Sequence, residues 1–170
     1  MKDKVENNMS TEVVAALWSE TLESAYNKMQ TLSIRHLPVI NDGGKLIGII
    51  SDRDIQRGMV IPAKETADFF PHAEFPSDAI VQEFMSTPVT SIDRTEDLAK
   101  AARLMIDEKI SALVVLDKSR VTGIITHEDL LKVLVLILEE REHSLSRFAD
   151  RVRLETPVGA ISHLLAQAGI

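Results

Sequence analysis

The chain has 170 residues, 45% of them hydrophobic and 26% charged, an ordinary globular composition. Its net charge of −7 offers no general attraction to nucleic acid or to an anionic membrane, so neither is expected as a partner. The lack of cysteine excludes a disulfide framework, a thiolate metal site and a cysteine nucleophile, and fits a cytoplasmic location.

The polar start, MKDKVENNMS, carries no apolar core of a signal peptide. A first strand is expected at Val13–Ala15. An acidic helix start follows at Ser19-Glu20, where a hydroxyl can cap orphan N–H groups. Leu22, Ala25 and Met29 then fall on one helical face. A second strand is expected over His36–Ile40. Asn41-Asp42-Gly43-Gly44 predicts a hairpin turn, because glycine tolerates positive φ. A third strand, Leu46–Ile50, leads into a helix opened by Ser51. Between Ile61 and Asp78, three prolines (Pro62, Pro71, Pro76) and Phe69, Phe70 and Phe75 read as a linker partly packed on its neighbours.

The series then returns. VENNMSTEVV begins at Val5 and VQEFMSTPVT at Val81. In that register Leu22 faces Leu98, Ala25 faces Ala101 and Met29 faces Met105. Ile34 likewise faces Ile110, Leu37 faces Leu113 and Val39 faces Val115. With one residue lost in the turn, Gly48-Ile49-Ile50-Ser51-Asp52-Arg53-Asp54 faces Gly123-Ile124-Ile125-Thr126-His127-Glu128-Asp129. The second copy predicts a strand at Val89–Ile92, a helix from Thr95-Glu96, strands at Leu113–Leu116 and Val121–Ile125 around the weaker turn Asp117-Lys118-Ser119, and a helix opened by Thr126. A β-α-β-β-α unit cannot bury both faces of its sheet alone, but two can cover each other. The expected fold class is therefore α+β, with two repeats packed as a pseudo-two-fold disc. Beyond them, Asp129 to about Val152 reads as one long helix. Its start, LLKVLVLIL, is apolar nearly all round, as in a helix that is buried or meets a partner. Val158, Ile161, Leu164 and Leu165 follow at helical spacing behind Pro157.

Two positions carry candidate chemistry. Asp54 and Asp129 stand one helical turn after Ser51 and Thr126, where a carboxylate can accept both hydrogen bonds of a ribose diol. The hydroxyl and the free N–H groups of a helix start suit a phosphate. The same residues suit plain capping equally well, with Asp54 and Asp129 complementing the helix dipole. The five histidines, His36, His72, His127, His143 and His163, form no metal-pair spacing, and Asp52 and Asp54 diverge on a helix start. No nucleophile-and-base pattern and no P-loop occurs, so neither a catalytic nor a metal site is expected.

MST-x-V, RHLPVI, and the pair GII-S-DRD and GII-T-HED resemble the CBS-domain family. The resemblance spans about residues 5–58 and 81–138. It implies a tandem pair, or Bateman module, with domains at 1–58 and 81–138, a linker at 59–80 and a helical extension at 139–170. It implies a non-catalytic regulatory module that senses an adenine nucleotide (AMP, ADP, ATP or a related adenosine compound), requires no cofactor, forms a homodimer and signals to an unidentified protein partner. By the same resemblance each cleft mixes the two repeats. The Thr126/Asp129 cleft would receive Thr11, Val13, Ile34, Arg35 and His36, with Arg53 reaching in, and those cations would favour phosphate. The Ser51/Asp54 cleft would receive Thr87, Val89, Ile110, Ser111 and Ala112, with Glu128 where the other has Arg53, and is expected to bind more weakly. Arg35 and Arg53 also fit a solvated face or ion pairs with nearby acids. The alternative function is a structural dimerisation module with degenerate clefts, supported by the apolar helix.

Overall fold

A computed structural model describes residues 3–59 and 74–155, with side chains through residue 147. Pro62, Phe69, Phe70, Pro71 and His72 of the linker, and Pro157, Val158, Ile161, His163, Leu164 and Leu165 of the tail, lie outside the described residues. The first repeat runs β1 (Ala16–Leu17), α1 (Leu22–Leu32), β2 (His36–Ile40), β3 (Leu46–Ser51) and α2 (Asp52–Arg57). A short α3 (Val81–Phe84) opens the second repeat. That repeat runs β4 (Ser91–Asp93), α4 (Leu98–Asp107), β5 (Ala112–Asp117), β6 (Arg120–Thr126) and α5 (His127–Glu155). The sheets have orders β1-β2-β3 and β4-β5-β6; in each, the first pair is parallel and the second antiparallel. The fold is α+β with one β-α-β-β-α unit per repeat.

Matched apolar positions build matched cores. Leu22, Ala25 and Met29 of α1 are buried with Leu37, Val39, Ile50 and Ile55. Leu98, Ala101 and Met105 of α4 are buried, as are Leu113, Val115 and Ile125. From the linker, Phe75 packs on the first core and stacks tilted on Tyr26, ring centroids 5.4 Å apart.

The first strand and first helix of each repeat start later than the sequence predicts. The strands expected at Val13–Ala15 and Val89–Ile92 form at Ala16–Leu17 and Ser91–Asp93. The cap of α1 is Thr21, whose side chain accepts from Ser24 N at 3.2 Å, not Ser19. Thr95 donates its hydroxyl to Asp93 at 2.6 Å, and α4 begins only after Asp97. The hydroxyl-acid pairs thus occupy the strand-to-helix turn and leave the cap to a later residue. Both helices end without glycine: Ser33 (φ 53°) and Lys109 (φ 55°) take the left-handed conformation. Ile34 N then donates to Met29 O, and Ile110 N to Met105 O, both at 3.0 Å, the closing bond of a Schellman turn.

What joins the repeats is an exchange of their leading segments. Ser10 and Ile124 exchange backbone hydrogen bonds of 2.9 and 3.0 Å, attaching the first MST segment to β6 of the second repeat. Ser86 and Ile49 do the same at 2.8 and 3.1 Å, attaching the second MST segment to β3 of the first. Val5 N donates to Glu96 O, and Val81 N to Glu20 O. Val5 and Val81 are completely buried, and Val81 sits in the core of the first repeat. Burying one such side chain stabilises by about 1.5–3 kcal/mol. The glycine of each GII strand lies beneath the crossing segment. A Cβ on Gly48 would fall 2.3 Å from Met85 Sδ; one on Gly123 would fall 2.5 Å from Met9 Sδ and 2.9 Å from Ser10 O.

The described residues up to Leu130 form one unit, and those from Leu131 a second. In the second, Leu131, Leu134, Val135, Leu138 and Leu145 of α5 are exposed. Among the described residues, no helix is long and apolar enough to cross a membrane.

Gly123→Ala is expected to destabilise by about 1–3 kcal/mol, because the new methyl meets a backbone carbonyl as well as a flexible sulfur. Gly43→Ala, whose Cβ has only a 3.4 Å neighbour, should stay within about 0.5 kcal/mol. Urea denaturation of both variants measures the contrast; equal losses would contradict the close approach at Gly123.

Candidate functional site

Ser51 ends β3 and opens α2, so its side chain is held at the mouth between the repeats. Asp54 Oδ2 accepts from Ser51 N at 2.8 Å and Ser51 Oγ at 2.6 Å, and Asp54 Oδ1 accepts from Arg57. Asp129 repeats the arrangement, accepting from Thr126 N at 2.9 Å and Thr126 Oγ1 at 2.8 Å. Both motifs therefore form reciprocal caps, the plain reading of their sequence. An incoming ribose diol at Asp54 must take the place of Arg57 or of the Ser51 hydroxyl. Arg57 is well exposed and yields easily.

The two repeats touch where their second strands begin. His36 Nε2 lies 2.8 Å from Ser111 Oγ, and Arg35 pairs with Glu128 at 3.3 Å. Asp52 N donates to Arg35 O and His127 N to Ser111 O, both at 3.0 Å, so each helix start leans on its own repeat's strand two. Burial holds the His36 pKa below its ordinary value of 6.5; Arg35, His127 and Arg53 push it the same way, and Asp52 opposes them.

A cleft of about 500 Å³ opens there. The first repeat contributes His36, Ser51, Arg53, Asp54 and Arg57; the second contributes Lys109, Ile110, Ser111 and Ala112. Among the described residues, neither Arg53 nor Lys109 has a carboxylate within ion-pair distance. The family resemblance implies Arg53 in the Thr126/Asp129 cleft, whereas in the structure it lines the Ser51/Asp54 cleft. The reason is local: Arg53 is the second residue of α2 and projects beside its own cap.

The remaining expected residues divide. Ile110 and Ser111 line the Ser51/Asp54 cleft, but Thr87 and Val89 are replaced there by Ser86, Pro88 and Thr90. Thr11 is exposed, Ile34 is half-buried at the end of α1, and Arg35 is held by Glu128. Val13 lines a different cavity, between the hairpin ends. Two lining cations escaped the sequence. Arg57 is recoverable as an i, i+3 partner of Asp54. Lys109 is not, since nothing in its identity announces the left-handed turn that aims it. Among the described residues, no cluster of His, Asp or Glu could hold a metal ion.

Because folded His36 resists protonation while the unfolded chain takes a proton near 6.5, its stabilising contribution is complete above that pH. That contribution is lost as pH falls from 6.5 toward the lower folded value. The melting temperature of the parent chain should therefore drop between about pH 7.5 and pH 5.5, and His36→Gln should reduce that drop. Equal drops in both chains would contradict the burial of a neutral imidazole.

Comparison with known proteins bears on this arrangement. The model of the CBS domain matches residues 4–60 and 81–136. Over 140 residues the chain is 31% identical to a CBS domain-containing protein of Dictyostelium discoideum, covering 82% of this chain and 96% of that one. It is similar in structure to the CBS domain pair of protein MJ0100 in complex with 5′-methylthioadenosine and S-adenosyl-L-methionine, with a TM-score of 0.64 and 26% identity over 77% of this chain and 94% of that one. It is also similar to the cytosolic domain of the Mg²⁺ channel MgtE in complex with ATP, with a TM-score of 0.59 and 27% identity over 78% of this chain and 49% of that one. With two successive family matches and a cleft built from both of them, this chain belongs to the CBS domain family as a tandem pair.

Proposed function

We propose that this chain is a regulatory module whose Ser51/Asp54 cleft binds a phosphate-bearing adenosine compound, and that occupancy is passed to a protein partner. The observation that carries the reading is a cleft of about 500 Å³ with a capped helix start, a carboxylate at ribose-binding position, and the cations Arg53 and Lys109, which pair with no carboxylate among the described residues. Similar pairs holding 5′-methylthioadenosine, S-adenosyl-L-methionine or ATP support the adenosine part. The charge supports the phosphate part: Arg53 and Lys109 repel a sulfonium and attract a phosphate. AMP, ADP and ATP are therefore preferred over S-adenosylmethionine. The Thr126/Asp129 cleft is the weaker site in this reading, because Arg35 must leave Glu128 before it reaches a phosphate. That order is the reverse of the one expected from sequence. Ligand lying across both repeats favours whichever arrangement of them grips it best, which is all a signal requires. No catalytic step is assigned.

A second reading is a structural module that pairs with a second copy of itself. Leu131, Leu134 and Leu138, exposed at i, i+3 and i+7 on α5, favour it. The two readings are compatible unless no ligand binds.

Melting curves with AMP, ADP, ATP, NAD and S-adenosylmethionine should show the largest rise with a nucleotide. By calorimetry, Arg53→Ala or Lys109→Ala should weaken ATP about tenfold while changing adenosine little, the scale of one charge-assisted bond. Asp54→Ala should remove the stronger event and Asp129→Ala should spare it. Equal losses for ATP and adenosine would put the cations outside the phosphate site. No shift with any compound would leave the structural reading in its place.

A further inference from the structure

We propose that the chain carries a separate binding site for an amphipathic organic anion, an alkyl or aryl carboxylate, between the tips of its two β-hairpins. The β2–β3 and β5–β6 hairpins flank a cavity of about 510 Å³, a size that suits a small molecule. Val13, Ile40, Leu116 and Val121 give it apolar walls, while Lys45 and Arg120 supply its charge. Among the described residues, no carboxylate belongs to its lining.

Both cations are placed by their turns. Asn41 Oδ1 accepts from Gly43 N at 3.1 Å and Lys45 N at 2.9 Å, and Asn41 N donates to Lys45 O at 3.0 Å. Arg120 pairs with Asp117 in the ladder, across a two-residue turn in which Lys118 and Ser119 both have positive φ. The acids nearest to them in sequence are committed elsewhere. Asp42 accepts from Trp18 Nε1 at 3.2 Å, and Asp117 pairs with Arg94 at 3.3 Å. Among the described residues, neither Lys45 nor Arg120 has a carboxylate within ion-pair distance.

Two cations line an apolar wall, and the acids nearest to them in sequence are engaged elsewhere. One anion with a hydrocarbon body answers both features: its carboxylate meets Lys45 and Arg120, and its chain covers the Ile40, Leu116 and Val121 wall. A multiply charged nucleotide fits less well, since no hydroxyl-and-carboxylate pair of the Ser51/Asp54 kind lines this cavity.

Calorimetric titration of the full chain with sodium octanoate, and separately with octanol, tests the site. Octanoate is expected to bind once per chain and octanol about tenfold more weakly, the loss of one charge-assisted contact. In the Lys45→Gln/Arg120→Gln double variant octanoate should lose at least that factor, with an unchanged melting temperature showing that the hairpins remain folded. Saturating ATP should leave octanoate binding intact. Absence of octanoate binding, equal affinity for octanol, unchanged affinity in the double variant, or displacement by ATP would each overturn the site. None of these outcomes depends on whether a nucleotide occupies the Ser51/Asp54 cleft.

Discussion

Four backbone hydrogen bonds, between Ser10 and Ile124 and between Ser86 and Ile49, carry each repeat's leading segment onto the other repeat's sheet. Each bond is worth only about 0.5–1.5 kcal/mol by itself. Their importance is topological. Val81 belongs to the second repeat in sequence and to the first in packing, and Lys4 pairs with Asp97 and Arg94 with Glu6 across the opposite exchange. A repeat separated from its neighbour would lose part of its core and expose backbone groups along one strand. The exchange also gives the GII glycines their purpose, since the crossing methionines occupy the space a side chain would need.

The cleft inherits this mutual dependence. Its helix start, Ser51 to Arg57, rests on β3, which is itself bordered by Ser86 of the other repeat. Its far wall, Lys109 to Ala112, comes from the second repeat, and the His36–Ser111 contact ties the two walls together. A ligand held there would touch both repeats and their shared strands at once. In the proposed reading, such a ligand favours whichever arrangement of the two repeats grips it best.

Much of this was legible because it is written in local periodicity. Leu22, Ala25 and Met29 repeat as Leu98, Ala101 and Met105, and each set faces a core. The hairpins and the helix starts at Ser51 and Thr126 follow from short turn and cap signals. What escaped depends on contacts distant in sequence. The first strands begin late because their pairing partner decides where they start: Ala16 pairs with Val39, and Ser91 with Val114. Arg35 meets Glu128, 93 positions away, and no neighbour of either residue announces it. That pairing, with Arg53 projecting beside its own cap, sets the charge balance of the two clefts. The helix ends at Ser33 and Lys109 lack glycine, so the turn that aims Lys109 into the cleft left no mark in composition.

Amide hydrogen exchange at Ser10, Ile49, Ser86 and Ile124 tests the mutual dependence most directly. All four amides should open only with the unit as a whole, at one common free energy, and ATP should raise that energy equally for all four. If the Ser10–Ile124 pair opened at a lower energy than the Ser86–Ile49 pair, or if ATP protected one pair and not the other, the repeats would be separable and the account would be wrong.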